Sequence, residues 1–243
     1  MADRAILRQV HEDDTLRATL RDGDSDQLVV SFAGIGKNNE PCQPEEFVNS
    51  ASDYGRHPTL FIMDKKRSWM NAPGLLEKIV ELIEQEKRNG SANEVCTIGN
   101  SMGGFMSLLI PYFTPVQRAI GFSAQYSVDP SINPKEWRWK RRIERIGAFL
   151  YPTLAGQFVD HTSYCVVQCV VHGGSPREAV QLDEFPRHPS ITHFVHPAVA
   201  HGVAEQLKRE NKLHDLVQSV FAGRRRRAGL IMQKTGFVPR AEL

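Results

Sequence analysis

Apolar residues along the chain fall into short unbroken runs, separated by stretches of helical spacing. Residues 27–33 carry Leu28, Val29, Val30 and Phe32 in near-continuous succession, and residues 59–63 repeat that character. Such runs predict strands buried on both faces, as in a parallel sheet. Residues 94–98, 118–123, 163–171 and 191–196 read the same way. Between them, residues 74–89 place Leu75, Leu76, Ile79, Leu82 and Ile83 on one side and Glu and Lys on the other, which predicts an amphipathic helix. Residues 104–110 predict an apolar helix that stops at Pro111. Residues 176–185 and 203–222 read as two more helices, the second closing the fold. Near the start, residues 5–11 and 15–21 form two short strand patterns joined by Glu12-Asp13-Asp14, an antiparallel edge hairpin.

Strands alternating with helices imply βαβ units. The expected fold class is α/β, a doubly wound, mostly parallel sheet of about eight strands. Residues 125–162 interrupt the alternation. They hold Trp137, Trp139, Phe149 and Tyr151 and the basic run Lys140-Arg141-Arg142. A small helical lid is expected here, with Trp137 and Trp139 as substrate-binding residues; the other reading is a subdomain anchored to the core by the same aromatics. Residues 1–223 are expected to form a single domain. Four consecutive arginines follow at 224–227, and residues 228–243 show little periodicity, so 224–243 reads as a solvated basic tail.

Composition narrows the function classes. The 243 residues are 41% hydrophobic and 24% charged, which suits one globular domain with a sizeable core. A net charge of +2 gives no strong field toward nucleic acid or a membrane surface, and neither partner is expected. Met1 to Arg8 lack an apolar leader segment, and no run is long enough to span a bilayer. A cytoplasmic location is the expectation. The four cysteines are Cys42, Cys96, Cys165 and Cys169. The last three lie in apolar strand patterns, as buried free thiols do. There is no C-x-x-C or zinc spacing, and no metal or other cofactor is expected.

The chemistry is concentrated at Gly99-Asn100-Ser101-Met102-Gly103, a G-x-S-x-G signature. A strand pattern precedes it and a helical pattern follows. Strand, sharp turn and helix are the context of a nucleophile elbow, in which the serine sits in strained backbone geometry above the sheet. A serine hydroxyl needs a base to take its proton. His201 lies between the last strand and the last helix, in Ala200-His201-Gly202, and is the candidate; His196 is the rival, with packing at the sheet edge as its plain role. The carboxylate that would orient the imidazole is open. The loop after 163–171 offers Glu178, with Asp183 further on, and the loop after the preceding strand offers Asp129. Each reads equally as a surface carboxylate or a cap, and Asp129 before Pro130 is a natural turn residue. The oxyanion hole needs two N–H groups, expected from Met102 and from Gly34 or Ile35. Residues 64–71, Asp64-Lys65-Lys66-Arg67-Ser68-Trp69-Met70-Asn71, follow another strand; a solvated loop is the expectation, over a cationic attraction for an acidic substrate.

These residues resemble the α/β-hydrolase superfamily over residues 27–222, most specifically at 99–104, 32–36 and 200–202. The resemblance implies Ser101 as nucleophile, His201 as general base and the Met102 N–H in the oxyanion hole. The chain departs from the family pattern at the acid position, and it has Phe32-Ala33-Gly34-Ile35-Gly36 in place of an H-G-G-G motif. The expected function is hydrolysis of an ester, thioester or related acyl bond in a small-molecule acyl substrate. An acyltransferase using the same serine and a non-catalytic binding protein are the alternatives.

Overall fold

One sheet runs through the molecule and fixes where every functional loop emerges. Its strands are β1 (Arg8–Glu12), β2 (Leu16–Arg21), β3 (Gln27–Phe32), β4 (Thr59–Asp64), β5 (Glu94–Asn100), β6 (Arg118–Phe122), β7 (Ser163–Cys169), β8 (Ile191–His196) and β9 (Val238–Pro239). The computed structural model describes residues 6–37, 40–134, 136, 139–170, 181–198 and 201–242. Among them the strand order is β1-β2-β4-β3-β5-β6-β7-β8-β9. Strands β4, β3, β5, β6, β7 and β8 run parallel; β1, β2 and β9 pair antiparallel at the two edges.

Alternation along the central strands divides the core in two. Leu28, Val30 and Phe32 of β3 face one layer and Val29 the other; Tyr164 and Val166 of β7 separate in the same way from Cys165 and Val167. The first layer holds α2 (Leu75–Asn89) and α3 (Met102–Leu109). The second holds Ala51 of α1 (Val48–Ser52), with α5 (Val203–Arg209), α6 (Leu213–Phe221) and α7 (Arg225–Lys234). Burial pushes the Cys96 and Cys165 thiols up to about 12, so both are inert hydrophobes.

Three expectations change. Residues 203–222 form two helices, because Asn211 adopts a left-handed backbone (φ 56) and Lys212 N–H closes onto the Leu207 carbonyl. Residues 225–239 belong to the fold: α7 buries Ala228 and Met232, Phe237 is buried, and β9 extends the sheet beside β8. The arginine run is thus the start of a packed helix rather than of a solvated tail. Residues 65–71 are the third case. Arg67, Ser68, Trp69, Met70 and Asn71 are all buried, and only Lys66 of the two lysines is exposed.

In the 125–162 insertion, Ser127 forms a bridge with Thr153, and a short helix, α4 (Lys140–Ile143), lies between them in the chain. Trp139, Phe149 and Tyr151 pack against the first core layer. No described helix is long and apolar enough to cross a membrane.

Candidate active site

The parallel strands deliver Phe32, Asp64, Asn100, Phe122, Cys169 and His196 to one end of the sheet, the end where open α/β sheets place their ligands. Ser101 sits between β5 and α3 with φ 55 and ψ −116, a conformation that costs a non-glycine residue on the order of 1–3 kcal/mol. Its neighbours enforce it. The Ser101 N–H donates to the Phe122 carbonyl at 2.8 Å, and its carbonyl accepts the Phe105 N–H at 3.0 Å. A Cβ on Gly103 would lie 2.1 Å from the Phe32 carbonyl oxygen, so β3 and α3 meet backbone to backbone.

The Ser101 hydroxyl has a defined partner. Trp69 Nε1 donates to Gln125 Oε1 at 3.1 Å, and Gln125 Nε2 lies 3.0 Å from Ser101 Oγ. An indole nitrogen can only donate, so Gln125 must turn its oxygen to Trp69 and its NH2 to Ser101. Ser101 Oγ therefore accepts, and its own proton is directed elsewhere. All three residues are buried.

Trp69 is placed by the 64–71 loop, in which Arg67, Trp69 and Met70 all have positive φ (52, 51 and 66). The Asp64 carboxylate organises this turn, with Oδ2 accepting the Ser68 N–H at 2.7 Å and the Ser68 hydroxyl at 2.9 Å. Complete burial raises the Asp64 pKa, against those hydrogen bonds. The buried Arg67 guanidinium donates to the carbonyls of Ile35 at 2.9 Å, Lys65 at 3.1 Å and Glu40 at 2.7 Å. It ties the loop after β4 to the loop after β3.

That second loop is the expected oxyanion loop. The Gly34 N–H is directed at the Glu46 carboxylate, whose pKa burial raises to about 7 while this hydrogen bond opposes the shift. The Glu46 oxygen lies 3.0 Å from where a Gly34 Cβ would stand. Gly34 and Ile35 both remain candidate donors, with the Glu46 carboxylate beside the first. Met102 opens α3, where first-turn N–H groups have no intrahelical acceptor.

His201 stands between β8 and α5. Its carbonyl accepts the Ser123 hydroxyl, which holds this loop against the end of β6, the strand that also holds the Ser101 N–H. His196 has the edge role: its ring stacks edge-on against Phe237 at 4.8 Å and Nδ1 accepts the Ala198 N–H. Burial lowers its pKa. The Asp129 carboxylate accepts the N–H and hydroxyl of Ser131 at 2.8 and 2.7 Å, a turn cap. Asp183 is exposed on a helical turn at 181–184. Glu178 and Trp137 lie outside the described residues. Trp139 is partly buried against the core. Gln125, Trp69, Arg67 and Glu46 escaped sequence reasoning as site residues; only the placement of 64–71 after a central strand pointed toward this end of the sheet.

The sequence matches no protein-family profile and no curated protein. Solved structures do resemble it. One is a 2,6-dihydroxy-pseudo-oxynicotine hydrolase, with TM-score 0.62 and 12% identity over 90% of this chain and 69% of that one. Another is an esterase from Pyrococcus furiosus, with TM-score 0.61 and 13% identity over 88% and 89%. A third is an alpha/beta hydrolase from the metagenome of lagoon sediments at Mar Chica, Morocco, with TM-score 0.55 and 14% identity over 89% and 99%. With the strand order and the strained serine between β5 and α3, these similarities define the chain as having the α/β-hydrolase fold.

Proposed function

We propose that the protein is a serine hydrolase acting on an ester, thioester or related acyl bond. The observation that carries this reading is the Ser101 backbone, held at φ 55 and ψ −116 at the strand–helix junction with its hydroxyl on Gln125. Such strain persists only where surrounding structure over-determines it, and it clusters at functional sites. Several structural neighbours being named hydrolases or esterases adds support at the level of the fold.

In this reading Ser101 Oγ attacks the acyl carbon, and His201 takes its proton and returns it to the leaving group. The Met102 N–H and that of Gly34 or Ile35 receive the oxyanion. Glu178 is the acid candidate to test first, since Asp129 is committed to its turn and Asp183 is exposed. Assay on a p-nitrophenyl ester series of increasing chain length tests the reading. Turnover by the wild type and its loss in Ser101→Ala, at unchanged melting temperature, is expected; equal turnover by the variant would contradict it.

A further inference from the structure

Gln125 is more firmly built than a surface amide beside a serine. Its backbone neighbours are clamped from two sides. Gln168 Nε2 donates to the Ala124 carbonyl at 3.0 Å, and Gln181 accepts the Tyr126 and Ser127 N–H groups while donating to the Ser127 carbonyl at 2.8 Å. Gln168 is itself set by His193, whose Nε2 lies 2.8 Å from its Oε1. The Gln125 side chain is then fixed by Trp69, which permits only one orientation of the amide. Three buried glutamines and a buried tryptophan thus hold one N–H donor on the Ser101 hydroxyl.

We propose that Gln125 is a catalytic residue, a side-chain hydrogen-bond donor that moves from Ser101 Oγ to the oxyanion as the acyl bond forms. This rests on the serine reading above. In the first step the Ser101 proton passes to the base and the Oγ–C bond forms. The carbonyl π pair moves onto the carbonyl oxygen, which becomes the oxyanion. Oγ and the oxyanion then share one tetrahedral carbon, so a donor within reach of one lies beside the other. Bonded to carbon, Oγ is a weak acceptor, and the amide N–H transfers to the negative oxygen, where a preorganised donor in a dry site counts most. Collapse re-forms the C=O bond and breaks the bond to the leaving group, which takes the proton.

The test is the rate constant for modification by a fluorophosphonate, whose phosphoryl oxygen occupies the oxyanion position. Gln125→Met removes the donor. Gln125→Glu keeps an acceptor for Trp69 but places a carboxylate where the NH2 stood. Both should label about 10²-fold more slowly than wild type, the usual effect of deleting one such donor. The Gln125→Glu rate, taken relative to wild type at each pH, should recover as pH falls and the carboxyl regains a proton to donate. A structural role would not produce that recovery. If either variant does not fold, Trp69→Phe replaces it, leaving the amide free to turn and slowing labelling several-fold. Wild-type protein that labels at Ser101, with variant rates within threefold of it and no pH-dependent recovery, would overturn the role of Gln125 and leave the serine reading standing. Wild-type protein that does not label would overturn both.

Discussion

A Cβ on Gly99 would stand 2.1 Å from the Gly103 carbonyl oxygen, so the last residues of β5 and the first turn of α3 touch through their backbones. Nothing at that contact is a flexible side chain that could give way. Gly99→Ala should destabilise the protein by at least about 2 kcal/mol, as overpacking of a rigid contact does, and should lower activity by displacing Ser101. Gly147 has nothing within 4 Å of its would-be Cβ, so Gly147→Ala should change stability by no more than about 0.5 kcal/mol. Thermal and denaturant melts of the pair check this.

The two rival histidines should separate by what each loses. His201→Ala is expected to cut ester turnover by several orders of magnitude with little change in melting temperature. His196→Ala removes a ring packed on Phe237 and an acceptor for the Ala198 N–H, so it should lower stability and spare most of the rate. Steady-state kinetics beside melts decide, and reversed effects would move the base to His196.

Glu46 predicts a pH dependence of stability. Its carboxyl titrates at about 7 in the fold against 4.5 for the free group, so the folded protein binds the proton more tightly. Stability on this account is highest at low pH, falls as pH rises between those two values, and levels off above the upper one. Glu46→Gln keeps an acceptor for the Gly34 N–H and removes the buried charge. It should stabilise the protein above pH 7 by on the order of 3 kcal/mol, a gain that vanishes below the free-group value. Denaturant melts across pH 4–8 measure the difference.

Arg67 ties two loops through three carbonyl oxygens. Arg67→Met leaves those acceptors without the guanidinium and should cost about 2–4 kcal/mol, since hydrogen bonds to charged groups contribute more than neutral ones. Because Ile35 is one of the three, kcat should fall more than KM rises. Kinetics that change only in KM would argue against a link from Arg67 to the reaction through the loop after β3.

The parts of the fold legible in the sequence are those where local pattern and tertiary burial agree. β3, β4 and β5 are apolar on both faces and could be read directly, as could α2 with its single apolar stripe. The segment α7–β9 was not legible because α7 buries only Ala228 and Met232, too few positions to show a period among arginines. Asn211 breaks the closing helix by its backbone conformation, which leaves no mark on the apolar spacing. The 65–71 loop looked solvated because its letters are polar, yet Asp64 and Arg67 satisfy its backbone groups internally and let it be buried. At the site, Ser101 and its glycines form a local motif and could be found. Gln125 could not, since it meets Ser101 and Trp69 only through the sheet, 24 and 56 residues away along the chain.

The site of covalent modification by a fluorophosphonate, read by intact mass and peptide mapping, decides whether Ser101 is the nucleophile. A single adduct on Ser101, absent from Ser101→Ala, is the expected result. An adduct mapped to another residue, or equal labelling of the alanine variant, would contradict it.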